Sequence, residues 1–198
     1  MASETGILAL VLAAGRSRRF GTEDKRRAAL EEGGSLLATT YGRVSEIFPV
    51  VRVVLPPGEE PTTLGLPENT AVIYADACNE GIGGTLRSVF RYILEQPSEQ
   101  TCDVVAIFLG DMPWLNASTV KMLSSKVGSQ RIVRPAYESQ PGHPVFVGRE
   151  FWPEFLKAAG DKASDVLARG GSDLDIIPVD DTGVVRDVDY PEDLVRHR

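Results

Sequence analysis

The fold turns on the stretch Gly6-Ile7-Leu8-Ala9-Leu10-Val11-Leu12-Ala13-Ala14-Gly15. This apolar run falls well short of the ~18 residues that a membrane-crossing helix needs. It stops at a glycine, and a continuous apolar run bounded by glycine reads as a strand covered on both faces, as in a parallel sheet. A buried helix segment is the competing reading; the short length and Gly15 favour the strand.

Three further runs share this character. Val50-Val51-Arg52-Val53-Val54-Leu55 ends at Pro56-Pro57-Gly58, Ala71-Val72-Ile73-Tyr74 is short, and Asp103-Val104-Val105-Ala106-Ile107-Phe108-Leu109 ends at Gly110-Asp111. Between them the apolar spacing is helical: Leu36, Leu37, Thr40, Tyr41, Val44, Ile47 and Phe48, then Leu86, Val89, Phe90, Ile93 and Leu94 at i, i+3, i+4, i+7 and i+8. Asn116 or Ser118 predicts the cap of a helix through Val120, Leu123 and Val127. Strand alternating with helix predicts βαβ units and a parallel sheet with right-handed crossovers.

After residue 130 the pattern changes. Arg131-Ile132-Val133-Arg134 and Pro144-Val145-Phe146-Val147 flank a turn-rich Glu138-Ser139-Gln140-Pro141-Gly142, predicting antiparallel strands at the sheet edge. Helices are expected around 151–158 and 164–168, a last strand over Asp175-Ile176-Ile177-Pro178-Val179, and a C-terminal helix opened by Pro191. The segment 56–70, rich in Pro, Gly and Glu, reads as a surface loop. The 198 residues fit one domain spanning the chain.

Composition excludes several classes. Hydrophobic residues make up 42% and charged residues 25%, which suits a chain that buries a core and rules out disorder or collagen. Lys and Arg number 21 against 28 Asp and Glu, a net charge of -7 that disfavours nucleic acid as a partner, because neutralising phosphates needs a basic surface. No apolar run predicts a membrane span, and Met1-Ala2-Ser3-Glu4-Thr5 lacks the basic region of a signal peptide. Cys78 and Cys102 lie far apart without metal-ligand spacing; both read as small hydrophobes in a reducing compartment, so a cytoplasmic location is expected.

Against this acidic background, Arg16, Arg18, Arg19, Lys25, Arg26 and Arg27 crowd into the loop after the first strand. Open α/β sheets bind ligands at the carboxyl ends of their strands. There, small Ala13, Ala14 and Gly15 let a flat base approach the backbone, while N–H groups and the cations Arg19 and Lys25 can hold phosphates. An ordinary basic loop is the plainer reading, but the local reversal of sign favours an anion site. Asp111 ends the most hydrophobic internal strand, where a carboxylate points into the ligand crevice; taken alone it could be a turn former. Near the C-terminus, Asp187-Val188-Asp189 alternates in an extended segment, so both carboxylates lie on one side and can join Asp111 as oxygen ligands of Mg²⁺. Helix capping explains Glu192 and Asp193 but not Asp187. No P-loop signature occurs, and Gly81-Ile82-Gly83-Gly84-Thr85-Leu86 departs from the dinucleotide GxGxxG pattern.

Three segments, LAAG-R-S-R-RFG through Asp24-Lys25, Gly110-Asp111-Met112-Pro113, and Asp187 through Leu194, resemble in order and spacing the MobA-like nucleotidyltransferases. Asn79 through Leu86 and Gly142-His143-Pro144-Val145 are similar to segments of the molybdenum cofactor (molybdopterin) cytidylyltransferases within that family. The resemblance runs from about Ile7 to Leu194. It implies a Rossmann-like three-layer α/β nucleotidyltransferase fold with a mostly parallel sheet. It implies transfer of CMP from CTP to a molybdopterin-type cofactor, with Mg²⁺ and release of pyrophosphate, and a molybdoenzyme or its chaperone as a further partner. Leu12, Ala13, Ala14 and Gly15 would meet base and ribose, Arg19 and Lys25 the triphosphate, and Asp111 with Asp187 or Asp189 the metal. Gly83 and Thr85 would touch the acceptor; His143, in a tight loop between Gly142 and Pro144, reads either as a structural histidine or as a contact to acceptor or ribose. Ala14 points to CTP, since guanylyl-transferring relatives tend to carry glycine there. Arg26-Arg27 after Lys25, and Tyr190 before Pro191, depart from the family pattern and motivate alternatives: GTP as donor, another phosphate acceptor, or a non-catalytic carrier of the cofactor. The chemistry itself needs no base, because an acceptor phosphate is already an anion. Trp114 and Trp152 read as packing residues, and Arg87 faces either the site or solvent.

Overall fold

A computed structural model describes residues 6–15, 20–21, 23–31, 33–158, 160 and 173–194, the side chain of Gln100 excepted. Eight strands, β1 (Ile7–Leu12), β2 (Val51–Leu55), β3 (Val72–Tyr74), β4 (Val104–Leu109), β5 (Ile132–Tyr137), β6 (Gln140–Pro141), β7 (Val145–Gly148) and β8 (Leu174–Pro178), form one sheet. Its order is β3-β2-β1-β4-β7-β5-β6, with β8 paired to β5. Strands β1 to β4 run parallel, β7 runs antiparallel to both β4 and β5, and β8 is parallel to β5. The α/β class and the mostly parallel sheet are as the alternation of patterns predicts. The helices are α1 (Leu36–Ser45), α2 (Gly81–Glu95) and α3 (Ala117–Ser124).

The continuous apolar runs are explained by cover on both faces. Leu8, Leu10, Val105, Ile107 and Val145 face Leu86, Val89, Phe90 and Ile93 of α2, together with Trp152 and Phe155. Ala9, Val11, Val53, Ala106, Phe108 and Phe146 face Leu37 and Val44 of α1 and Leu123 of α3. Each such fully buried large side chain contributes ~1.5–3 kcal/mol of burial free energy. Trp152 is completely buried and its indole N–H donates to the Val147 carbonyl at 3.0 Å, so it packs as expected.

Four local readings change. Strand β7 is not an edge: it lies between β4 and β5 with all four residues buried, which its unbroken Val-Phe-Val pattern requires. Helix α3 ends at Ser124; its N-cap Asn116 makes no side-chain hydrogen bond to the first turn, and its own backbone N–H donates to the carboxylate of Asp181 at 3.1 Å. The loop after β2 buries Pro61, Leu64 and Leu66, so it packs instead of lying wholly on the surface. Residues 149–157 and 191–194 form 3-10 turns; Pro153 interrupts the first. The helix expected over 164–168 lies outside the described residues. Among the described residues no helix is long and apolar enough to cross a membrane.

Candidate functional site

The parallel arrangement brings the carboxyl ends of β1 and β4 side by side, with Leu12 opposite Leu109. Gly110 N–H donates to the Leu12 carbonyl at 2.9 Å and fixes the chain just before Asp111. Above these ends opens a cleft of about 700 Å³. One wall is Leu12, Ala14 and Gly15; the other is the start of α2 with its preceding turn, including Glu80, Ile82 and Thr85; Leu109 and Asp111 also line it. A smaller cavity of about 120 Å³ shares Leu12, Gly15 and Asp111 and adds Lys25 and Arg26. Helix α2 reaches this position through a close approach: a Cβ on Gly84 would overlap the carbonyl of Ala77, so only glycine lets the helix start so near that turn.

Lys25 is the electrostatic centre. Its ammonium donates to Asp111 Oδ2 at 2.6 Å and to the Val188 carbonyl at 2.8 Å, and lies 3.5 Å from Asp189 Oδ1. Val188 N–H in turn donates to the Asp111 carbonyl at 3.0 Å. The C-terminal extended segment is therefore stitched to the end of β4, and Asp189 is brought to Lys25. Asp187 is exposed at the rim, yet its carboxyl sits above the usual carboxylate range: the chain strips part of its hydration and Asp111 adds negative charge beside it. Asp111 Oδ1 is buried with no hydrogen-bond partner in the protein.

Arg26 builds the adjoining corner. Its guanidinium donates to both oxygens of Glu59 (2.6 and 2.7 Å), to Asp24 (2.6 Å through Nη2) and to the carbonyl of Ala13 (2.7 Å). Burial opposes its charge, but the hydrogen bonds to Asp24 and Glu59 outweigh burial and raise its pKa further. The same contacts hold Asp24 below the usual carboxylate range against its own partial burial. This residue, a departure from the family pattern, is thus a strut joining β1, the Asp24–Lys25 turn and the loop after β2. With Ala13 N–H donating to Val54 O at 2.9 Å, both peptide polar groups of Ala13 are engaged within the protein.

The His143 backbone N–H donates to the Val184 carbonyl at 2.7 Å, and its ring hydrogen-bonds the Ile107 carbonyl. Burial, and next the nearby Arg134 cation, pull its pKa down to about 4, so it is neutral at pH 7. Its Nδ1 is buried without a partner. A Cβ on the preceding Gly142 would overlap the Val184 carbonyl, so glycine is what lets this loop meet the C-terminal segment.

The expected residues divide accordingly. Leu12, Ala14, Gly15, Thr85 and Asp111 line the cleft, Ala13 lines the smaller cavity beside it, Lys25 joins Asp111 to Asp189, and Asp187 is exposed and feels the charge of Asp111. Gly83 is buried and donates its N–H to the Gly160 carbonyl at 2.7 Å, and the Thr85 hydroxyl donates to Gly81 O one turn back at 3.3 Å. Arg19 lies outside the described residues. Arg87 is turned to Glu80 and to the Ala158 carbonyl, tying α2 to its neighbour. Cys102 is buried, but Cys78 lines the cleft, which a reading of cysteine as a hydrophobe missed. Glu59 was equally hidden: nothing in a Pro- and Glu-rich loop marks which acid turns inward.

Among the described residues no three carboxylate, imidazole or thiol groups stand close enough to hold a cation alone. The donor set nevertheless suits Mg²⁺, which is usually held by one or two carboxylates together with substrate phosphates. The unpartnered Oδ1 of Asp111 and the crowded charge on Asp187 are the features a hard cation would satisfy.

Comparison with known proteins places this geometry. The chain is similar to a Mycobacterium sp. strain JC1 homologue of Rv0371c, 29% identical over 94% of this chain and 92% of the other, with a TM-score of 0.76. Rv0371c of Mycobacterium tuberculosis H37Rv is 25% identical over 96% of each chain with a TM-score of 0.77, and it has also been solved as a manganese complex (22%, 96% of each chain, 0.75). Molybdopterin-guanine dinucleotide biosynthesis protein A of Archaeoglobus fulgidus shares the fold at 16% identity, over 96% of this chain and 94% of that one, with a TM-score of 0.66. No curated protein matches the sequence. The profile of the MobA-like NTP transferase domain matches residues 9–174, and with most of its length so matched the chain belongs to that nucleotidyltransferase family.

Proposed function

We propose that the chain transfers CMP from CTP to a molybdopterin-type cofactor and releases pyrophosphate. The single observation that carries nucleotidyl transfer is the gathering of Lys25, Asp111 and Asp189 beside the small-residue wall Ala14-Gly15 of a cleft large enough for a nucleotide. The choice of CTP rests on Ala14 in the LAAG sequence, and the acceptor on the GHPV likeness and on family membership.

In this reading base and ribose lie against Leu12, Ala13, Ala14 and Gly15, with the Ala13 peptide held in place by its bonds to Val54 and Arg26. Lys25 directs its ammonium at the phosphates and balances the negative charge that grows on the α-phosphate and leaving pyrophosphate. Arg19 contributes a second cation. Leu12 packs beside the sugar, and Gly83, Thr85 and His143 stand on the acceptor's side. Asp111, with Asp187 or Asp189, would hold Mg²⁺, which supplies charge neutralisation of the phosphates when bound. The acceptor phosphate attacks the α-phosphorus, that P–O bond forms, the bond to the bridging oxygen of pyrophosphate breaks, and no proton need be removed. The residues act by holding two anions in line and by stabilising the charge that develops as the bond breaks.

Thermal stabilisation by CTP, GTP, ATP and UTP, each with and without Mg²⁺, tests the donor, because a ligand that binds the folded state raises its melting temperature with concentration. A shift specific to CTP with Mg²⁺ is expected. Preference for GTP would move the reading to guanylyl transfer, and no shift with any nucleotide would favour a carrier of the cofactor. Asp111→Asn is expected to abolish pyrophosphate release; unchanged release in that variant would remove the metal role of Asp111.

A further inference from the structure

One charged residue in the sheet has no part in the site described so far. Arg134 sits in the middle of β5, two residues from buried Ile132, so its side chain leaves the sheet on the face that α2 covers. Its neighbour across β8 on that face is Ile176, which is 49% exposed, so the face opens to solvent beside it. The guanidinium donates through Nε and Nη2 to the Gly142 carbonyl at 3.3 and 3.1 Å. No carboxylate among the described residues forms an ion pair with it. A half-buried guanidinium is normally matched by an acid, because an unmatched charge in a poorly hydrated place is unfavourable; burial alone depresses the pKa of Arg134.

Next to it stands His143, whose Nδ1 is also buried and unpartnered. Since the other ring nitrogen donates to Ile107, Nδ1 carries the lone pair and can only accept. Arg134 donates to the carbonyl of Gly142, the residue before His143, so the two side chains belong to one loop–strand corner. The C-terminal segment passes Val184 at His143 and Val188 at Asp111. A cation without a counter-ion in β5 and an acceptor without a donor at the start of β7 are thus joined, through the segment from Val184 to Val188, to the end of β4 that carries Asp111.

We propose that Arg134 and His143 form an acceptor subsite, in which Arg134 holds the anionic phosphomonoester group and His143 Nδ1 accepts a hydrogen from an N–H or O–H of the same molecule. The proposal rests on the transferase reading and gives it a second anion position, distinct from that of the triphosphate. Guanidinium suits the task because its planar donors match phosphate oxygens, and with Nε and Nη2 turned to Gly142, Nη1 remains to reach outward.

The test is a titration of the full chain with methyl phosphate, followed by phosphorus NMR, for wild type, Arg134→Gln and Arg134→Lys, in the presence and absence of CTP and Mg²⁺. Wild type is expected to bind saturably whether or not CTP is present. Arg134→Gln should bind about tenfold more weakly, the loss of one charge-assisted contact, and Arg134→Lys should fall between them. Melting temperatures near that of wild type, and unchanged stabilisation by CTP, show that the variants are folded with an intact cleft. Absence of saturable binding by wild type, equal binding by the folded Arg134→Gln, or displacement of methyl phosphate by CTP each overturns the subsite. The titration involves no turnover, so failure of the transferase reading, seen as no pyrophosphate release, leaves its result readable.

Discussion

Replacing His143 by Gln separates one proton from all the others that titrate in mild acid. The His143 pKa is pulled from 6.5 down to about 4 in the folded chain, first by burial and then by Arg134. The folded state therefore binds fewer protons than the unfolded state between those values, and stability falls as the pH is lowered through that window. Above pH 6.5 the contribution is fully present; it is lost progressively towards pH 4. Integrating the two binding curves gives a loss of ~2 kcal/mol between pH 7 and pH 5 from this group alone. For a chain of this size, with a urea slope of ~2–3 kcal/mol per molar, the unfolding midpoint should drop by roughly 0.7–1 M over that interval beyond what the carboxylates contribute. Gln keeps an amide that can donate to Ile107 but does not titrate. Urea midpoints of wild type and His143→Gln at pH 7, 6 and 5 give the double difference directly. Parallel pH dependence in the two proteins would refute the argument, because it would mean that the imidazole is as well hydrated folded as unfolded.

Further outcomes follow from the strut, the close approaches and the ammonium. Arg26→Ala leaves Asp24 and Glu59 facing each other without their cation and should lower stability by ~2–3 kcal/mol, some 5–10 °C in melting temperature for a chain of this size; calorimetry giving an unchanged temperature would remove the strut. Gly142→Ala drives a methyl into the Val184 carbonyl, so both stability and pyrophosphate release should fall; full activity in the variant would show that the C-terminal segment shifts without consequence. Lys25→Ala should reduce transfer by ~10²–10³ while changing stability much less, which steady-state assays beside thermal melts will check.

The sequence made the layers legible because both faces of β1, β2 and β4 are covered, leaving runs such as Leu8 to Leu12 without polar interruption. It made Lys25 and Asp111 legible because each ends or follows such a run. What it hid were relations between distant segments. Arg26 reads as one of several surplus cations until Glu59, in a loop after another strand, is brought to 2.6 Å from it. Arg134 is indistinguishable from any exposed strand arginine until β8 and the Gly142 loop flank it. The interior place of β7 was missed because a short antiparallel run beside a turn more often ends a sheet than joins its halves.

The 2.6 Å contact between Lys25 and Asp111 gives the site an internal counter-ion. In the proposed reading, entry of a triphosphate would be an exchange of partners: the Lys25 ammonium would turn from the carboxylate to phosphate, leaving Asp111 free to hold Mg²⁺. Because charge is swapped within the protein and not simply added to a bare acidic cluster, bulk salt has less to compete for at this spot than at an open anion site. Nucleotide affinity should accordingly fall only gently with ionic strength, and the Lys25→Ala protein, whose acids are left without that resident cation, should show the steeper dependence on added divalent metal.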